Sequence, residues 1–277
     1  MKPSTEKAVH RALHDITPPI VARLAKRFGV LGQDAEYEYV GSAWPKSHAR
    51  GWDVESVVAR QLADWSDLTR RAGGADVLTA NGLVAHNTLM SFAYVLGRAA
   101  SGRSTLSLLD WGGGLGQYGV IARALYPGIG IRYSCRDLRL MTETGRELLP
   151  DAVFYDNDDD AFAGRHDLVM ASSSLHYVED WSTTLTHLAE AADRYLFVTR
   201  QPFVVNVPSF VVVQRPIAYG YDTEYPGWVL NRKEFLESVT QTGLGLVREF
   251  ITGEEPFVPQ APEPPVYRGF LFERPGT

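Results

Sequence analysis

The stretch LLDWGGGLGQYG (108–119) holds residues of types and spacing that do chemistry: Asp110 closes an apolar run, and Gly112, Gly114 and Gly116 follow at alternate positions. Glycine admits positive φ and lets a ligand come up against the backbone. Between a strand and a helix, such a turn offers amide N–H groups and a helix N-terminus to a polar or anionic group. The expectation is a backbone bent tightly under a bound nucleoside. Asp137 ends the next apolar run, about 20 residues on, where a carboxylate can accept from two ribose hydroxyls. It can equally cap the helix that opens after it. In the acidic run DNDDD (156–160), Asn157 or Asp158 could accept from an adenine amino group, or the run is a solvated turn. The stretch SSSLHYVEDW (172–181) carries Ser172, a general-base candidate in His176, and Tyr177, which either stacks on a ligand or packs against a helix. Arg200, in TRQP, could clamp a carboxylate or pair with a structural acid.

Elements must position these groups. From residue 104, short apolar runs alternate with helical ones: TLSLLDW, QYGVIARALYP, GIRYSCRD, LRLMTETGRELL, AVFYDND, HDLVMASSS, WSTTLTHLAEAAD and RYLFVTRQP. That alternation predicts a parallel sheet covered by helices on both faces. Ligands of such sheets bind at the carboxyl ends of the strands, where all of these residues fall. NRKEFLESVTQTG (231–243) reads as a helix capped by Asn231, with LVREFIT and YRGFLFER as two final strands. Residues 1–100 read as mostly helical, with helices over 18–30, 53–74 and 83–102 and Asp53 as N-cap of the second. Between the first two lies YEYVGSAWPKSHARGW (37–52), read as an aromatic loop. The division is a helical cap and lid over 1–100 and a Rossmann-like domain over 101–277. The fold class is α/β, a Rossmann-like doubly wound sheet with a terminal antiparallel strand, preceded by the helical N-terminal cap.

Bulk properties narrow the partners. The net charge is −6 and no Lys/Arg run exceeds a pair, so nucleic acid is not an expected partner. Cys135 is the single cysteine, which excludes an internal disulfide and a cysteine-rich metal site. No apolar run approaches a membrane span, and the first residues carry no apolar signal segment, so a cytoplasmic location and a small-molecule substrate are expected. The sequence assigns no oligomeric state.

LLDWGGGLGQYG, the acid of YSCRD and SSSLHYVEDW together resemble a class I S-adenosylmethionine (SAM)-dependent methyltransferase over about 104–200. A glycine pattern at Gly114, Gly116 and Gly119 also fits a dinucleotide turn. The resemblance sets Asp110 near the amino-acid portion of SAM, which favours SAM as cofactor. YEYVGSAWPKSHARGWD and TRQP resemble a family of bacterial methyltransferases of mostly undefined acceptor, often found near surface-polysaccharide or secondary-metabolite genes. The resemblance implies methyl transfer to a small molecule, a secondary metabolite or saccharide precursor. Cofactor-binding candidates are Asp110, Gly112, Gly114, Gly116, Asp137, Asn157, Asp158 and Ser172; catalytic candidates are His176, Tyr177 and Tyr39, with no metal ligand. Tyr37, Tyr39, Trp44 and Trp52 suggest an aromatic lid, since ring faces attract a cationic sulfonium. They could equally dock the cap on the core. A second chemistry uses SAM as sole substrate, cyclising it to azetidine-2-carboxylate with release of methylthioadenosine.

Overall fold

A computed structural model describes residues 36–46, 51–74, 76–77, 79–80 and 82–276. The helix expected over 18–30 lies outside them. The elements run β1 (Tyr37–Gly41), α1 (Glu55–Ala72), α2 (Leu83–Ala100), β2 (Thr105–Trp111), α3 (Gln117–Leu125), β3 (Gly130–Arg136), α4 (Arg139–Leu148), β4 (Val153–Tyr155), α5 (Asp158–Phe162), β5 (His166–Ser172), α6 (Trp181–Ala191), β6 (Ala192–Val204), β7 (Phe210–Gln214), β8 (Tyr225–Asn231), α7 (Arg232–Gln241), β9 (Gly245–Ile251) and β10 (Val266–Glu273).

Strands β4, β3, β2, β5 and β6 lie side by side in that order, all parallel. β10 runs antiparallel to β6, and β9 antiparallel to β10. This is the Rossmann-like sheet that the alternation predicts, with the reversed terminal strand that the methyltransferase resemblance implies. β2 is buried from Leu106 to Trp111, as befits a central strand covered on both faces. Its side chains alternate: Leu106 and Leu108 enter a core with α2 residues Phe92, Val95 and Leu96. Leu109 and Trp111 enter a second core with Leu185, Leu188 and Phe235. Val57, Trp65 and Leu68 of α1 share the first core.

Three features differ from the sequence reading. Tyr37–Gly41, expected as loop, is strand β1, paired antiparallel with β7. Its Tyr-Glu-Tyr-Val alternation suits a half-buried strand, which closes on Gly41, and Pro45 and Gly51 lie beyond it. β7 and β8 are strands that the reading did not assign, and β8 runs parallel to the end of β6 through Phe203 and Val204. The long β6 therefore serves two layers: the parallel sheet and an inserted β8–β7–β1 ribbon with its own core of Tyr37, Val204, Phe210, Val212, Val229 and Val258. Third, Asp53 does not cap α1. Val54 is the N-cap residue, with no side-chain bond, while Asp53 accepts from the Leu140 amide at 3.3 Å. Asn231 does cap α7, accepting from the Lys233 and Glu234 amides.

The second core centres on Phe235, fully buried, with ring centroids of Phe203, Phe270 and Phe272 at 5.1, 5.6 and 6.0 Å. Phe235→Ala should cost about 3–5 kcal/mol of unfolding free energy. Urea denaturation reads this directly, and an unchanged midpoint would contradict the central position of that ring.

Candidate functional site

β2 ends in Asp110-Trp111, and the chain turns through Gly112 (φ 75°), Gly114 (φ 60°) and Gly116 (φ 92°) into α3. Two close approaches explain the glycines. A Cβ on Gly112 would overlap the Ser174 side chain, and one on Gly114 would overlap the Gln61 amide. Both positions also need a left-handed backbone that other L-residues rarely adopt. Gln61, projecting from α1, accepts from the Leu115 amide at 3.1 Å. Ser174 donates to the Trp111 carbonyl at 2.9 Å.

Two carboxylates frame the turn. Asp137 accepts from the Gly114 amide and from the Leu138 amide, each at 2.7 Å. It thus reaches over the glycine turn, and it does not cap α4, whose N-cap is Leu138. Burial raises its pKa, opposed by those two amides. Asp110 is fully buried: Oδ2 accepts from the Tyr133 hydroxyl at 2.7 Å and Oδ1 has no partner. Burial pushes this carboxyl up to about 7, opposed by the Tyr133 hydroxyl and reinforced by the charge of Asp137.

The candidates after β4 already have partners. Asn157 caps α5, accepting from the Asp160 amide at 2.9 Å. Asp158 accepts from the Trp111 indole at 2.8 Å and pairs with Arg136 at 2.6 Å. Ser172, at the end of β5, lies 3.1 Å from the Tyr118 hydroxyl. Beyond it the backbone takes positive φ at Ser173 (55°) and enters a 3₁₀ turn, Leu175–Tyr177. His176 in that turn is 2% exposed, with the Gln201 side-chain amide beside its ring. Burial pushes its pKa down to about 3, with Gln201 opposing and the Arg200 charge assisting. Tyr177 donates to Gln214 at 2.9 Å.

The aromatic residues divide. Trp52 stacks on Tyr225 at 4.0 Å and meets Tyr177 edge-on at 4.9 Å. Tyr39 packs instead against Phe210 at 5.3 Å, and Trp44 against Trp228 at 5.8 Å. Arg200 forms an ion pair with Glu254 at 3.1 Å. Asp110, the three glycines, Asp137, Ser172, Ser174 and His176 therefore cluster at the carboxyl ends of β2, β3 and β5. Tyr39 sits in the inserted ribbon. Gln61, Tyr133 and Gln201 are neighbours of these groups that the sequence reading missed; a helical Gln or a strand Gln carries no local mark of such a placement.

No protein-family model and no curated protein matches the sequence. Several solved structures similar to it are named as methyltransferases. One is the 1,6-didemethyltoxoflavin-N1-methyltransferase of Burkholderia thailandensis, solved with 1,6-didemethyltoxoflavin and S-adenosylhomocysteine: 15% identity, TM-score 0.48, over 87% of this chain and 96% of that one. Another is a SAM-dependent methyltransferase of Clostridium acetobutylicum ATCC 824: 10% identity, TM-score 0.46, over 79% and 99%. A third is the mitomycin 7-O-methyltransferase: 19% identity, TM-score 0.42, over 78% and 68%. Among the described residues no helix is long and apolar enough to cross a membrane, and no group of side chains could hold a metal ion.

Two buried titrations oppose each other. Between about pH 3 and 6.5 the unfolded chain protonates His176 and the folded chain does not, so stability rises with pH there and is lost as pH falls. Between pH 3.8 and about 7 the folded chain keeps the Asp110 proton that the unfolded chain has released, so this group's contribution falls as pH rises. His176→Phe should flatten the loss on the acid side, and Asp110→Asn should remove the loss toward neutrality. Urea midpoints across that pH range check both; identical pH profiles for wild type and variants would contradict the burial of these groups.

Proposed function

We propose that the chain is a SAM-dependent methyltransferase acting on a small molecule, within secondary metabolism or saccharide assembly. One observation carries the reading: the Asp137 carboxylate leans over a glycine turn whose close packing leaves no room for a side chain. A carboxylate has about four acceptor sites, and the two backbone amides use two. The others suit a pair of vicinal ribose hydroxyls. Gly112 and Gly114 let the nucleoside approach the backbone. Asp110, with Oδ1 one partner short, suits the ammonium of the amino-acid portion. A cation there would pull its raised pKa down and hold it ionised.

Bound SAM supplies an activated methyl on a sulfonium, open to in-line displacement. The residues of this chain then have positioning work, which is the larger part of such catalysis. Trp52, Tyr177 and Tyr225 offer ring faces to a positive centre. His176, neutral through burial, offers a nitrogen lone pair to the acceptor's O–H or N–H. Asn157 and Asp158 keep their place as candidates for the adenine end, where α5 fixes Asn157 and Arg136 holds Asp158.

Calorimetry should show SAM and S-adenosylhomocysteine binding to the wild type, and none for NADH. Gly114→Val should abolish binding while the protein stays folded; tight NADH binding would favour a dinucleotide instead. Asp137→Ala should weaken SAM by about 1.5–3 kcal/mol, roughly 10- to 150-fold. An unchanged dissociation constant would leave Asp137 as a brace of the turn alone. Incubation with SAM and no acceptor, read by mass spectrometry, should give no turnover. Methylthioadenosine with a new cyclic amino acid would replace transfer by cyclisation.

A further inference from the structure

α1 is held beside the glycine turn by contacts on two sides. Gly51 is tied to the loop between β7 and β8: its N–H donates to the Glu224 carbonyl at 3.3 Å, and its carbonyl accepts from the Thr223 hydroxyl. The Ser56 hydroxyl accepts from the Asp222 amide of the same loop at 3.1 Å. On the other side, Asp53 accepts from the Leu140 amide in the first turn of α4, just past Asp137. Val57, Trp65 and Leu68 fix the helix itself in the first core. Gln61 follows buried Val57 by one helical turn, so it projects from the same inward side of this fixed helix.

Gln61 Oε1 accepts from the Leu115 amide at 3.1 Å, and the whole Gln61 amide group lies against Gly114 on the side from which a Cβ would project. The nucleoside reading uses that same face of the turn. The two cannot share it, because the space is already too small for one added carbon. The obstacle at Gly114 is nevertheless the far end of a flexible side chain, whereas the obstacle at Gly112 is the Ser174 Cβ, close to its backbone. Gln61 is half-buried, so its amide has solvent to move into. Rotamer changes of such side chains take picoseconds to nanoseconds. A single neutral hydrogen bond of this kind is also worth little net, since water replaces it.

We propose that Gln61 is a placeholder for the cofactor: in the free protein it fills the ligand's place over Gly114 and holds the Leu115 N–H, and it swings away on a stationary α1 when the nucleoside binds. The inference rests on the methyltransferase reading above, which puts the nucleoside on this turn. Its consequence is quantitative. Only molecules with Gln61 turned away are competent to bind, so the apparent dissociation constant is the intrinsic one divided by that fraction. Because the side chain moves far faster than a ligand arrives, the whole effect falls on association. SAM and S-adenosylhomocysteine meet the same obstacle, so Gln61 sets the concentration at which the site fills without favouring either. The latch is neutral, so it works the same way across the pH range in which Asp110 titrates.

The test follows S-adenosylhomocysteine binding to the full chain, by calorimetry for affinity and by stopped-flow tryptophan fluorescence for rates. Gln61→Ala should tighten binding about three- to tenfold, the effect of no longer breaking one hydrogen bond to the backbone. The association rate should rise by the same factor and the dissociation rate should stay unchanged. Gln61→Asn keeps the amide but is too short to reach the Leu115 N–H, so it should behave as the alanine variant does. It also serves should the alanine variant fail to fold. Weaker binding by the variants would make Gln61 a ligand contact, and unchanged binding would make it a brace of the turn; either overturns the inference while the cofactor reading stands. A gain that lies in the dissociation rate overturns it as well. Binding of S-adenosylhomocysteine by neither the wild type nor the variants overturns both.

Discussion

The site depends on one irregularity in β6. β10 follows β6 along its length, but the register slips between Arg268 and Phe270, so that Gly269 stands opposite both Thr199 and Arg200. A Cβ on Gly269 would lie 2.7 Å from the Thr199 hydroxyl, so the bulge requires glycine there. Arg200 takes a positive φ of 51°, rare for a side chain of its size. Its ion pair with Glu254 holds the side chain in the direction that this backbone gives it. Beyond the bulge β6 leaves the parallel sheet and enters the inserted ribbon. The gap beside Arg200–Pro202, and the turn that carries His176 into it, exist because the strand changes partners at that point.

Around that gap the interior stays close to neutral. Glu273 draws in Arg98 and Arg194, Glu249 takes Arg232, and Asp167 takes Arg103, all at the margins of the sheet. Inside, Asp110 is raised toward neutrality and His176 is held neutral. A cation placed beside the first would stabilise its ionised form. The second is poised to hydrogen-bond without charge.

Much of this was legible because its signals are local. The parallel core follows from alternating apolar runs, the glycine turn from its place between strand and helix, and the Asn231 cap from a four-residue pattern. The final strand β10 follows from its apolar run, and its reversed direction only from the methyltransferase resemblance. β7 and β8 were not legible, although VVVQ has strong strand propensity. Prolines interrupt their neighbourhood, and their partner β1 comes from the far end of the described chain, a pairing with no local trace. Gln61 reaches the glycine loop only because α1 docks there. Tyr37 and Tyr39 share a strand face and both pack into the ribbon core, Tyr39 against Phe210, a placement set by the ribbon and not by the sequence around them.

The central claim is that a nucleoside lies over the glycine turn with its ribose on Asp137. A crystal structure of the chain with S-adenosylhomocysteine tests this most directly. The account predicts both ribose hydroxyls within hydrogen-bond distance of the Asp137 carboxylate, the nucleoside against Gly112 and Gly114, and the amino-acid end toward Asp110. A ligand seated away from the turn, or a ribose with no contact to Asp137, would contradict it.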